Sequence, residues 1–157
     1  MGSEFGQWTE WKETASLDWH VLLGAEHSAL QTLVRDLNHL YTTLPSLHAL
    51  DHERGSFCWL DPNDGDRSVF SFFRTAPDGS KIHVVINATP VPRPDFRMGV
   101  AEPGAYRELL NTDATTYSGT GMVNSGTLNS EDIPWNDRQW SVKLTLPPLG
   151  VVFLGKA

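Results

Sequence analysis

Residues 67–89 read RSVFSFFRTAPDGSKIHVVINAT. Two runs rich in Phe, Val and Ile, 67–75 and 81–89, flank Ala76-Pro77-Asp78-Gly79. That tetrapeptide is a turn signal, because proline presets one φ and glycine accepts a positive one. In the second run Ile82, Val84 and Ile86 alternate with His83 and Asn87, which predicts a strand with one buried face.

The same code extends in both directions. Residues 56–61 form another aromatic-rich run, separated from 67–75 by Asp61-Pro62-Asn63-Asp64-Gly65-Asp66. Downstream, 96–100, 106–110 and 151–154 are short apolar runs, and Val142, Leu144 and Leu146 alternate with Ser141, Lys143 and Thr145. Strands that succeed one another without helices between them predict a mainly β fold, an antiparallel β-sandwich. Residues 111–138 hold few apolar side chains and many Gly, Asn, Ser and Thr. A loop of that length is expected to be functional or mobile.

Before residue 54 the pattern changes. Leu30, Leu33, Val34, Leu37, Leu40, Tyr41 and Leu44 fall three and four apart, one stripe of an amphipathic helix. Ser28 and Gln31 suggest a capping box at its start, and Pro45 stops it before a short helical turn over 46–50. A bare apolar stripe of this size is expected to drive self-association. Ahead of the helix, residues 1–27 read as an irregular loop rich in aromatics. The predicted division is 1–50 and 54–157.

The chain has 157 residues, 39% hydrophobic and 10% aromatic, enough to bury a core. A net charge of −7 without a basic stripe argues against nucleic acid or an anionic membrane as partner. Cys58, the only cysteine, excludes an intrachain disulfide and reads as a buried thiol between Phe57 and Trp59. The polar N-terminus lacks the apolar core of a signal peptide, and no run approaches the length of a membrane span. A soluble, cytoplasmic protein is expected.

Trp8, Trp11 and Trp19 lie among Glu4, Gln7, Glu10, Glu13, Asp18 and His20. Flat aromatic faces beside carboxylates and amides suit a sugar ring, with its apolar face and hydroxyl rim. Met1-Gly2-Ser3-Glu4-Phe5-Gly6-Gln7, Glu10-Trp11 and Leu17-Asp18-Trp19-His20 together resemble bacterial 1,4-α-glucan (glycogen) branching enzymes of the α-amylase superfamily. The resemblance continues through LVRDLNHLY (33–41), NATPVPR (87–93), ELLNTDA (108–114) and LTLPPL (144–149), in the family's order. It implies that 54–157 is the C-terminal all-β domain. Residues 1–50 would be the loop after the last strand of a (β/α)8 barrel and its final helix. The sequence departs from the family at Ala88, usually aromatic, at Val123-Asn124-Ser125-Gly126-Thr127, usually Gly-Asn-x-Gly-Gly, and at Trp135-Asn136-Asp137-Arg138, usually Trp-His-Gly-Arg.

The resemblance also implies an α-glucan substrate, no cofactor, and catalytic carboxylates on earlier barrel strands. This chain is then expected to hold no catalytic residue. Glu4, Gln7, Trp8 and Trp11 are the candidate substrate-binding residues of the intact enzyme; pinning the loop to the barrel rim is their alternative role. Asp18-Trp19-His20 is expected to order the loop, and Asp51-His52-Glu53 to be an interdomain linker. His27, His39, His48 and His52 form no closed ligand set, so no metal is expected. Two other readings stay open: a non-catalytic glucan-binding or barrel-stabilising β domain, and the tail of another α-amylase superfamily hydrolase.

Overall fold

The computed structural model describes residues 1–157. One long helix, α1 (Ala25–Thr43), precedes eight strands: β1 (Phe57–Asp64), β2 (Val69–Thr75), β3 (Lys81–Asn87), β4 (Arg93–Val100), β5 (Ala105–Asn111), β6 (Leu128–Asn129), β7 (Trp140–Leu146) and β8 (Val151–Lys156). Every pairing is antiparallel. The larger sheet runs β1-β2-β3-β8-β5-β6 and the smaller is β4-β7, so the predicted sandwich is the fold. No helix is long and apolar enough to cross a membrane.

The core lies between the two sheets. Val69, Phe73, Val85, Val152 and Leu154 of the larger sheet meet Phe96, Met98, Val100, Val142, Leu144 and Leu146 of the smaller. Each such side chain contributes about 1.5–3 kcal/mol when fully buried. Tyr106 sits in the same cluster, its hydroxyl donating to the Glu102 carbonyl at 2.7 Å. Burial pushes that phenol up to about 12.

The alternation in β3 predicts one buried face, but the strand is buried on both. His83, Val85 and Asn87 are as inaccessible as Ile82 and Val84. The second cover comes from a distant segment, the 3-10 turn Pro45–Leu47, which touches β2 and β3. Hydrogen bonds satisfy the Asn87 amide and one of the two His83 ring nitrogens. Asn87 Nδ2 donates to the Val91 and Pro147 carbonyls, both at 2.8 Å, and His83 Nε2 accepts from the Ala101 N–H at 3.3 Å.

The helix starts a turn earlier than predicted. Gly24, with extended φ/ψ, is its N-cap, and the expected Ser28 and Gln31 box does not form, because Ser28 already lies within the first turns. Nor is the apolar stripe bare. Leu30, Leu33, Val34, Leu37, Leu40 and Leu44 are half-buried, and of the seven only Tyr41 is exposed. The 3-10 turns at Ser3–Phe5, Trp19–Leu23, Pro45–Leu47 and Thr115–Tyr117 flank the helix. Tyr117 Oη donates to Asp36 Oδ2 at 2.9 Å.

Residues 111–138 are neither unstructured nor free. Asp113 accepts the Thr120 N–H at 3.0 Å, the Thr120 hydroxyl at 2.6 Å and the Met122 N–H at 3.0 Å. Burial raises the pKa of Asp113, yet these donors outweigh it and hold the carboxyl below its ordinary value. Asn124 bonds to both backbone groups of Thr145 in β7, accepting at 2.7 Å and donating at 2.9 Å, as a neighbouring strand would. Glu108 Oε2 takes both the backbone and side-chain N–H of Asn124. Cys58 lies in β1 as expected but only half-buried, with Arg138 Nη2 3.0 Å from its sulfur.

Candidate functional site

The N-terminal loop folds through its glycines. Gly2 (φ 85°) and Gly6 (φ 67°) bracket the turn Ser3–Phe5, both in the left-handed region that favours glycine. Phe5 is fully buried against the Trp19 ring, with centroids 5.1 Å apart, and its carbonyl lies 2.8 Å from His27 Nδ1. Gln7 closes the loop: its Nε2 donates to the Thr9 carbonyl and its Oε1 accepts from the Asp18 N–H, both at 2.9 Å. Asp18 Oδ2 in turn accepts from the Thr9 hydroxyl at 2.6 Å. Asp18 thus orders the loop.

A cleft of about 180 Å³ opens between Gln7, Glu10, Lys12, Leu17 and Asp18. Of the four candidate residues, only Gln7 lines it, and both ends of its amide are already spent within the loop. Trp8 is 81% exposed, edge-on to His27 at 5.3 Å, and Trp11 is 46% exposed. Glu4 is half-buried and makes no side-chain hydrogen bond in the structure. The structure therefore offers two free indole faces and a polar notch, but no single pocket that gathers all four residues.

Several carboxylates elsewhere are engaged. Asp51 pairs with Arg74, whose hydrogen bond holds that carboxyl below its ordinary pKa and ties the segment before β1 to β2. Glu102 is clamped between Lys81 at 2.7 Å and Lys156 at 3.0 Å, which lower it to about 2. Arg97 holds Glu131 at 2.6 Å. No three metal-ligating side chains converge.

One feature escaped the sequence reading. On the outer face of β1 and β2, Phe57, Trp59 and Phe72 form an aromatic cluster, with centroids 5.0–5.7 Å apart. Phe57 and Trp59 are 40% and 48% exposed. Aromatics in a predicted strand read as core; only the pairing of β1 with β2 at a sheet edge shows that these face outward.

Comparison with known proteins agrees with this architecture. The chain is 47% identical over 155 residues to the 1,4-alpha-glucan branching enzyme GlgB of Aquifex aeolicus, covering 98% of this chain and 25% of that protein. Those of Paramagnetospirillum magneticum (48%, 95% and 20%) and Cereibacter sphaeroides (45%, 100% and 22%) are similar. The chain thus spans a fifth to a quarter of these relatives' length. A solved α-amylase from H.orenii aligns with TM-score 0.47 at 18% identity, over 82% of this chain and 20% of that one. The family described as alpha amylase, C-terminal all-beta domain, matches residues 59–157, from within β1 through β8, and the chain belongs to it.

Proposed function

We propose that this chain is the C-terminal part of a cytoplasmic 1,4-α-glucan branching enzyme, which cuts an α-1,4 linkage and transfers the glucan segment to a 6-hydroxyl in glycogen synthesis. The supporting observation is identity of 45–48% to three enzymes of that printed name over nearly all of this chain. Residues 1–50 are the last loop and helix of the catalytic barrel and 54–157 the all-β domain; Trp8 and Trp11 contribute indole faces to the glucan cleft.

Retaining glycosyl transfer needs two carboxyl groups roughly 5–5.5 Å apart, one as nucleophile and one as acid and base. Asp51, Glu102, Asp113 and Glu131 are each held by cations or loop donors instead. The resemblance places the catalytic carboxylates on earlier barrel strands, and on that reading this polypeptide alone is inactive. Incubated with amylose, it should leave the iodine stain and the yield of a debranching digest at buffer level; new branch points above that level would refute the reading.

The aromatic cluster favours a second role, glucan binding by the β domain itself. Affinity electrophoresis in amylose should then retard the chain, and Trp59→Ala should release it. Equal mobility with and without amylose would leave the domain a purely structural support.

A further inference from the structure

The end of the larger sheet, where β3, β8 and β5 pass beneath residues 44–46, encloses a cavity of about 240 Å³. One wall is apolar, made by Leu44, Ile82 and Leu109. The rest carries a surplus of positive charge. Lys81, Arg107 and Lys156 line it against a single carboxylate, Glu102, in a chain whose net charge is −7.

Hydrogen-bond donors are in surplus as well. An ammonium has three N–H groups. Lys81 spends two, on Glu102 and the Gly79 carbonyl, and Lys156 spends two, on Glu102 and the Pro103 carbonyl. Arg107, exposed at the mouth of the cavity, spends none within the chain, as does Arg54 outside it, whereas Arg67, Arg74, Arg93, Arg97 and Arg138 all have partners. A buried donor joins them. His83 lines the cavity and its Nε2 accepts from Ala101, so the neutral ring carries its proton on Nδ1, which has no partner. Buried polar atoms without partners are rare in folded proteins, and such an orphan calls for an explanation.

We propose that this cavity binds a small organic anion, a phosphorylated or carboxylated molecule of about one sugar ring. Its charged group meets Arg107 and the free N–H groups of Lys81 and Lys156, while its body lies on Leu44, Ile82 and Leu109 under the hydroxyls of Ser46 and Ser80. The volume sets the size, since pockets for drug-sized ligands begin near about 300 Å³. Because the cavity joins the segment after α1 to three strands, its occupant also braces the helix against the sandwich.

The test is a ¹H–¹⁵N titration of the chain at constant ionic strength with glucose 6-phosphate, gluconate, inorganic phosphate and glucose. Saturable shifts at Ser46, Arg107 and Gly155 with glucose 6-phosphate or gluconate, and none with glucose at the same concentration, are expected. Saturation by only one of the two anions identifies the charged group as phosphate or carboxylate. Arg107→Gln should weaken binding about tenfold or more. It removes no hydrogen bond of the fold, so the rest of the spectrum should stay unchanged. Arg54→Gln, in the turn just before β1 and outside the cavity, should have no effect. Absence of saturable shifts with both organic anions, inorganic phosphate binding as tightly as glucose 6-phosphate, or equal weakening by Arg54→Gln would overturn the proposal.

Discussion

His83 is the one imidazole that the fold buries, between the rings of Phe73 and Tyr106. Burial, helped by the nearby Lys81 charge, lowers its pKa to about 4, against about 6.5 in the unfolded chain. Between those values the unfolded state binds a proton that the folded state refuses. The stability this group confers is therefore complete above pH 6.5 and lost as pH falls toward 4, by roughly 3 kcal/mol. His83→Gln, whose Oε1 can still accept from Ala101, should flatten the fall in Tm between pH 6.5 and 4.5. An unchanged acid slope would move the proton uptake elsewhere. In the sequence His83 looks like the wet side of an alternating strand. Alternation reports only local period; His83 shares its face with Val85, and that face is covered by the core between the two sheets, with Phe73 and Tyr106 against the ring.

At the scale of elements, the strands were legible because each carries its own alternation or aromatic run, whereas β6, two residues long, has no period to read. The order in 111–138 was hidden for a related reason: it rests on polar pairs distant in sequence, Glu108 with Asn124 and Asn124 with Thr145. Asn124→Ala should cost about 2–3 kcal/mol, since it strands the half-buried partners of several hydrogen bonds. Amide exchange should quicken at Thr145 and across 113–126; unchanged protection there would show that Asn124 is not the clip. The helix stripe is already half covered, and the most exposed large apolar side chains left in residues 1–50 for self-association are Leu23 and Trp8, at 93% and 81%. We predict concentration-dependent association in sedimentation velocity that Trp8→Ser with Leu23→Ser weakens, whereas Leu33→Lys with Leu37→Lys destabilises α1. A chain that stays monomeric at millimolar concentration would contradict this.

For the whole molecule, the fold class and the family could be read because several separate motifs recur in one order along the chain. The surroundings of the candidate residues were less legible. Trp8 and Trp11 are free to meet a ligand, but Gln7 is consumed by Asp18 and Thr9, a pairing that composition cannot show. The outward aromatic cluster needed the sheet's edge to be known. On the proposed function, this chain is a working C-terminal part of a branching enzyme. Its most direct test replaces the matching quarter of the Aquifex aeolicus enzyme, 47% identical over 155 residues, with this chain and measures branch points formed on amylose. An active chimera is expected. A soluble, folded chimera that binds amylose yet forms no branches would contradict it.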